Sequence, residues 1–446
     1  MPAPRPGRGK GPKMSLEMTP DDFIALLRRE RRRRAFFVYS PAQKRLEPSL
    51  PALAELAEGI ARLPDFAEHE GVFLEIGQAS GALLSATLHR TIRGQGAGGV
   101  RHWHYGALKE LVQDGLRLSR GMGRKNALAG LWWGGGKGVI ARTAGDRYLD
   151  PAYRDALYED YGRFVTSLRG AYVTAEDVGT TPPDMAAVFR TTRFVTCVPE
   201  AVGGSGNPSP ATAKGVVCAM EATLDHLKLG TLAGKRVAVH GAGNVGASLI
   251  GELVEKGAAQ VIATEVSAAR SAEVSARFAG ANVTVRQVPV GDTSAFAEQC
   301  DIVSPSALGG VLNPDTIPRL RCRIVCGAAN NQLLEEGRDD RALKDRGITF
   351  VPDFVASRMG IVTCANEQYG ALPDDPAILR HFGRSWDNAV YVVTRKVLEA
   401  ADRDRVTTAE AAARLADEAS LVPHPIFPHR GAALVNALVQ LGWEAG

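Results

Sequence analysis

The sequence predicts an α/β protein, with an N-terminal mixed-sheet domain, a doubly wound parallel sheet after it, and a cleft between the two. Three observations predict this. A chain of 446 residues is longer than one hydrophobic core usually serves, so at least two domains are expected. From Arg236 onward, short apolar runs alternate with helical spacing, the rhythm of βαβ units. Ahead of that rhythm, strand-like runs and amphipathic helices surround two glycine-rich stretches that each hold a lysine, Gly121-Met-Gly-Arg-Lys125 and Gly134-Gly-Gly-Lys137-Gly138.

Bulk properties narrow the class. A net charge of +4 gives no general affinity for polyanions, and 45% hydrophobic with 23% charged residues is the composition of a soluble globular protein. No apolar run reaches the ~20 residues of a membrane span. The six cysteines are scattered, which reads as reduced thiols in the cytoplasm. Cys322 and Cys326 have a metal-like gap but share one strand-like run with no second pair nearby. They read as core, and no metal site is expected.

Taken in order, the first elements form an extension over 1–64. Residues 1–13, rich in Pro, Gly and basic side chains, read as disordered. Thr19-Pro-Asp-Asp22 caps a helix that runs into the arginines of 28–34, where a C-terminal helix dipole favours cations. That run is read as a solvated helix end rather than a nucleic-acid site, and neither a signal nor a transit peptide is expected. A mixed-sheet domain follows over 65–205. It starts with strands at 72–76 and 82–88 and continues with helices at 105–119, where Leu108, Leu111, Val112 and Leu116 share a face, and at 150–168. Residues 203–210, Gly-Gly-Ser-Gly-Asn-Pro-Ser-Pro, form a hinge loop ahead of a helix at 211–227. The second domain, 211–352, holds strands at 236–240, 260–264, 302–303, 324–325 and 349–351. Residues 353–360 return across the hinge. Helices at 378–402, 407–418 and 430–441 complete the segment 353–446, packing on the first domain.

Two motifs carry chemistry. Lysine is a compact point charge whose pKa falls when it is desolvated or set beside another cation. One lysine of the pair can hold an anion while the other, neutral, acts as a base, and glycines let backbone approach a ligand. Thr174-Ala-Glu-Asp177-Val-Gly179 supplies a carboxylate partner. The second motif, Gly241-Ala-Gly-Asn244-Val245-Gly246, lies between a strand and a helix, with Glu265 at the end of the next strand. This is the Rossmann-type dinucleotide fingerprint. Gly241 makes the tight turn, Gly243 admits the pyrophosphate at the helix N-terminus, Gly246 permits close packing, and Glu265 accepts the adenosine ribose hydroxyls. Its charge disfavours a 2′-phosphate and no arginine follows before Arg270, so NAD is expected over NADP.

On these motifs the chain resembles the Glu/Leu/Phe/Val family of amino-acid dehydrogenases over 65–446, and its motifs are closest to those of the leucine dehydrogenases. The matching segments are Arg120-Gly-Met-Gly-Arg-Lys-Asn126, Gly134-Gly-Gly-Lys137, Thr174-Ala-Glu-Asp-Val-Gly-Thr-Thr181, Gly204-Ser-Gly-Asn-Pro-Ser-Pro210 and Gly327-Ala-Ala-Asn-Asn-Gln-Leu333. The resemblance implies that Lys125 binds the substrate α-carboxylate, that Lys137 is the acid/base acting on water, and that Asp177 relays protons to the amino group. It implies that Asn330 positions substrate and nicotinamide. Lys125 is expected to depress the pKa of Lys137. Where glutamate dehydrogenases carry a lysine for the γ-carboxylate, this chain has Ala97, followed by Gly98 and Gly99. Met122, Ala175, Ile361 and Cys364 fall where the family lines its side-chain pocket, and burying a carboxylate among them is costly.

The resemblance thus implies NAD-dependent oxidative deamination of an apolar L-amino acid, branched-chain or aromatic, to its 2-oxo acid and ammonia, in a cytoplasmic homo-oligomer. Two departures stand out. Ser357-Arg358-Met359-Gly360 replaces the usual Asn-Ala-Gly-Gly, and Trp132-Trp133 precedes the glycine bed. They leave two alternatives: a weakly active or non-catalytic binding protein, or a dehydrogenase for an acidic amino acid read by Arg358.

Overall fold

The computed structural model describes residues 15–142, 147–370, 372 and 374–446, so the basic segment 1–13 lies outside the described residues. Helix α1 (Pro20–Arg29) is closed by a capping box in which Thr19 and Asp22 exchange hydrogen bonds. It stops before the arginine run ends. Arg31 turns the chain at φ 57°, and Arg34 opens β1 (Arg34–Ser40), which pairs antiparallel with β2 (Arg45–Pro48) and with β3 (Gly71–Ile76). Arg33 and Arg34 both pair with Glu75 of β3. This corrects the expected extension over 1–64: residues 34–48 are strands of the first sheet, and the far end of the arginine run is held by a carboxylate in that sheet.

The first domain continues with α2 (Ala54–Ala61), β4 (Leu83–His89), β5 (Gly96–Ala97), β6 (Val100–His104), α3 (Leu108–Leu128), β7 (Gly134–Arg142), α4 (Pro151–Ser167), β8 (Tyr172–Val173) and α5 (Pro182–Phe189). Strand order is β2-β1-β3-β4-β7-β5-β8, with β6 also on β7. β3 and β4 form the expected hairpin, with Gly71 opposite Leu88. Both strands are buried throughout because helices cover both faces. Val72, Leu74 and Ile76 enter one core cluster with α1, α2 and α3, while Phe73 enters another with α4.

The second domain opens with α6 (Ser209–His226). Its sheet is wound from β9 (Arg236–His240), α7 (Asn244–Glu255), β10 (Gln260–Glu265), α8 (Ala268–Arg277), β11 (Val283–Gln287), β12 (Ile302–Pro305), β13 (Ile324–Cys326), α9 (Asp339–Asp345) and β14 (Thr349–Val351). All pairings are parallel, in the order β11-β10-β9-β12-β13-β14. That is the doubly wound arrangement, whose ligands bind where the strand order reverses. Cys322 and Cys326 pack against different core clusters, as a core reading requires.

The chain returns through α10 (Asp353–Ala356), α11 (Met359–Glu367), α12 (Pro376–Leu379), α13 (Val390–Asp404), α14 (Thr408–Ser420) and α15 (Arg430–Gln440). The single helix expected over 378–402 is broken between Phe382 and Val390, where the backbone carbonyl of Asn388 is used by another side chain. Among the described residues, no helix is long and apolar enough to cross a membrane.

Candidate active site

The glycines explain how two lysines from different elements come together. Helix α3 runs through Gly115, Gly121 and Gly123, although glycine in a helix interior is destabilising relative to alanine. A Cβ on Gly135 of β7 would lie 2.3 Å from the Ser119 carbonyl oxygen of α3, and one on Gly136 would lie 2.7 Å from backbone of β5. The glycines therefore let α3 and β5 press on β7 and bring Lys125 and Lys137 to one cleft. This corrects the expectation that the glycine bed serves a ligand. Of these glycines, Gly99 and Gly121 border the cleft, while Gly134, Gly135, Gly136 and Gly138 face protein.

Lys137 and Asp177 form a buried pair, Nζ to Oδ2 2.9 Å. Arg101 of β6 donates from Nε to the same oxygen at 3.1 Å and from Nη1 to Asp114 of α3 at 3.0 Å. Tyr105 and Arg117 also donate to Asp114. Burial raises the Asp177 pKa, but Lys137 and Arg101 outweigh it and hold the carboxyl at about 2. Burial lowers the pKa of Lys137, opposed by Asp177 and assisted by Arg101. The cation that helps to depress Lys137 is thus Arg101, and not Lys125 as expected from sequence.

Lys125 donates from Nζ to Asn330 Oδ1 and to Ser357 Oγ, each at 3.2 Å. Burial lowers its pKa, and Asp353 opposes the shift. Lys125 is therefore gripped by the second domain and the return loop, with Ser357 standing where the family motif has asparagine.

The cleft between the domains has a volume of about 970 Å³. Lys125, Lys137, Asp177 and Asn330 border it, and Met122, Ala175, Ile361 and Cys364 line it. Glu176, which was not singled out from sequence, also lines it. Burial, with Asp177 and Asp184 nearby, pushes its carboxyl up to about 7. Ala97 does not reach the cleft. It is fully buried in β5 within the core, so this position presents no side chain to a ligand. Gly98 lies behind the wall, its carbonyl accepting from the Tyr172 hydroxyl at 2.6 Å.

Arg358 departs furthest from expectation. Its side chain is wholly buried and donates to the backbone carbonyls of Leu128, at the end of α3, and of Asn388. It points neither to the cleft nor to solvent, which removes the basis for reading an acidic substrate through it. Trp133 is core, and Trp132 is half-exposed under the Arg93 guanidinium. Neither lines the cleft.

At the second domain, Gly241 adopts φ 99°, a Cβ on Gly246 would lie 2.0 Å from the Gly241 carbonyl oxygen, and beside Gly243 there is open space. A tight turn, a close helix and an open approach to the N-terminus of α7, which begins at Asn244, are what a pyrophosphate needs. Val245 carries this turn into the cleft. Both Glu265 oxygens accept backbone N–H groups, from Ala242 and Ser267, each at 3.0 Å. Arg270 is closer to this turn than its place in the sequence suggests: its Nε donates to the Ala242 carbonyl at 3.1 Å, and it pairs with Glu273.

Comparison with known proteins agrees with this geometry. The family model described as Glutamate/Leucine/Phenylalanine/Valine dehydrogenase matches residues 203–419, and that of the Glu/Leu/Phe/Val dehydrogenase dimerisation domain matches 85–194. Leucine dehydrogenase from Geobacillus stearothermophilus is 38% identical over 79% of this chain and 90% of its own. Valine dehydrogenase from Streptomyces coelicolor is 39% identical over 78% and 92%. The crystal structure of L-tryptophan dehydrogenase from Nostoc punctiforme, 33% identical, superposes with a TM-score of 0.62 over 79% of this chain and 96% of that one. The chain belongs to the Glu/Leu/Phe/Val dehydrogenase family.

Proposed function

We propose that this protein oxidises an apolar L-amino acid, branched-chain or aromatic, to its 2-oxo acid and ammonia with NAD, and catalyses the reverse reductive amination. The observation that carries this reading is the buried Lys137–Asp177 pair at 2.9 Å, on the same cleft as a second buried lysine and next to a dinucleotide turn. Lys125 holds the substrate α-carboxylate, whose charge restores the protonated form that burial disfavours. Lys137, neutral, takes a proton from the water that attacks the imino carbon and later returns it. Asp177 stays ionised at neutral pH, stabilising the Lys137 ammonium and the departing amino group. Residues 241–246 and Glu265 would hold the nicotinamide cofactor, which supplies the hydride acceptor. Asn330, tied to Lys125, orients substrate against it.

Apolar substrates are favoured because Met122, Ala175, Ile361 and Cys364 offer a carboxylate no partner, while Glu176 adds a repelling charge when ionised. The Glu265 carboxylate at the ribose site favours NAD, and Arg270 is engaged with the turn's carbonyls and with Glu273. A rate screen of amino acids with both cofactors tests the whole reading. An apolar amino acid with NAD should give the highest rate, and Lys137→Ala should lower kcat by ~10²–10⁴-fold with NAD affinity retained. Because the base form of Lys137 is the unprotonated one, kcat/KM for deamination should rise with pH through a pKa below 10.5 and then level off. A Lys137→Ala enzyme keeping a tenth of the rate refutes the assignment, and faster turnover with NADP refutes the reading of Glu265.

The match of 85–194 to a dimerisation domain supports a homo-oligomer. Light scattering should give a multiple of the 47.5 kDa chain, and a monomer at micromolar concentration would refute it.

A further inference from the structure

We infer that Cys197 and Cys364 form a reversible dithiol–disulfide site that opens on the substrate cleft. The two Sγ atoms lie 2.8 Å apart as separate thiols, and both residues border the cleft. Nothing in the proposed chemistry needs two sulfurs here. The segments that carry them are tied together. Cys364 sits on α11, and Glu367, three residues on and on the same face of that helix, accepts N–H groups from Cys197 at 2.8 Å, Val198 at 3.3 Å and Ser205 at 2.9 Å. Cys197 is held at φ 62°, a conformation that a non-glycine residue keeps only when its surroundings dictate it. One carboxylate thus clamps the segment that carries the first thiol onto the helix that carries the second. A disulfide needs the sulfurs to close to about 2.05 Å, less than an ångström of movement, within reach of side-chain rotation.

The chemistry balances with a small oxidant that enters through the cleft, such as a hydroperoxide. One thiolate attacks the peroxide oxygen, giving a sulfenic acid and releasing water once protonated. The second thiol attacks that sulfur and expels a second water. Two thiols thereby lose two electrons and two protons, and hydrogen peroxide is reduced to two waters. The Cys364 thiol is pushed well above 9 by its contact with Cys197 and by burial, so the thiolate is scarce at neutral pH and the reaction speeds up with alkalinity. Since Cys364 lines the proposed side-chain pocket, bound amino acid covers the pair. This last point rests on the proposed function, whereas bond formation does not.

The test is peroxide treatment of the full-length protein at pH 7 and at pH 9, followed by digestion without reductant and mass spectrometry. The expected product is a cross-link joining the peptides of Cys197 and Cys364, 2 Da lighter than the free thiols, formed faster at pH 9, reversed by dithiothreitol and absent from Cys197→Ser. L-leucine or L-phenylalanine, whichever turns over faster, at ten times its measured Kd leaves about a tenth of the clefts free, so linkage should slow about tenfold. Unlinked Cys197 and Cys364 after oxidation, or a link of either to another cysteine, overturns the site while leaving the dehydrogenase reading intact. Linkage at an unchanged rate in the presence of substrate overturns its opening on the substrate cleft.

Discussion

Arg358 shows how a departure that looks like specificity can be structural. From sequence it is a candidate reader of an acidic substrate, because a cation near a substrate loop could fork a carboxylate. Its guanidinium instead satisfies the carbonyls of Leu128 and Asn388. Leu128 ends the helix that carries Lys125, where carbonyls lack helical partners and a cation is favoured. Burial, with no acidic partner among the described residues, lowers the Arg358 pKa to about 9, so the charge is costly there and the hydrogen bonds offset it. Arg358→Met should therefore leave the ranking of amino-acid substrates unchanged while destabilising the fold by about 1–3 kcal/mol, the cost of stranding buried carbonyls. Urea denaturation and the substrate screen measure the two effects, and a switch of preference would return Arg358 to the substrate site. Other site residues divide by how local their signal is. Lys125, Lys137 and Asp177 were legible because each lies in an ordered motif. Arg101 and Asp114, which complete the Asp177 network, were not: arginine and aspartate are common, and only β6 and α3 lying side by side shows that they meet. Cys197 was missed because only the fold brings it to the cleft, whereas Glu176 stood in the same motif as Asp177 and its burial, not its place in the sequence, singles it out.

At the scale of elements, β7 and α3 set the catalytic geometry through what they lack. Glycines in a sequence read as a helix end or a ligand-approach bed, so the helix expected over 105–119 in fact reaches Leu128, and the glycine run at 134–138 is a buried strand. Tertiary packing overrides propensity here: backbone-to-backbone approach is possible only without side chains. The strands β1 and β2 were hidden differently: Ala35-Phe-Phe-Val-Tyr39 is a strand-like apolar run, but it follows directly on the arginines of a helix end, and only its pairing with β3 shows that it belongs to the first sheet. Substitutions along β7 should differ in whether they can be rescued. A Cβ on Gly138 would lie 1.9 Å from the Tyr161 hydroxyl oxygen, whereas on Gly136 it would meet β5 backbone. Gly138→Ala should destabilise by about 1–3 kcal/mol as an overpacked core does. Tyr161→Phe, which removes the clashing oxygen, should recover part of that loss, whereas the same change should not rescue Gly136→Ala. Thermal denaturation of the double-mutant cycle measures the coupling, and strictly additive losses would show that the Tyr161 hydroxyl is not what excludes a side chain from Gly138.

Across the whole molecule, the chain leaves the first sheet, builds the second, and comes back to the first to finish. The doubly wound domain was legible almost strand by strand, because βαβ units are local and the fingerprint marks their start. The return was legible as helices expected to pack on the first domain; α15 does so, whereas α13 packs with α6 in the core of the second domain, and the contacts of Trp443 were not legible because its partners lie hundreds of residues earlier. Trp443 completes the return. It packs edge-on against Phe73 of β3 with ring centroids 5.3 Å apart, lies under the Arg34 guanidinium of β1 at 4.9 Å, and donates from its indole N–H to Ser167 at the end of α4 at 3.0 Å. The last residues therefore join β1 and β3 of the first sheet to the helix behind them. They do so away from the cleft, whose lining does not include Trp443. Trp443→Ala should cost about 3–5 kcal/mol, the usual penalty for emptying a buried aromatic site, and should leave KM for the amino acid and kcat per folded molecule within about twofold of the parent, since distant sites act independently. Equilibrium unfolding in urea and active-site-normalised kinetics separate the two quantities. A loss of stability below about 1 kcal/mol would mean that the terminus decorates the sheet rather than closing it. A matching fall in kcat would mean instead that the first sheet transmits its edge to Lys137, two strands beyond β3.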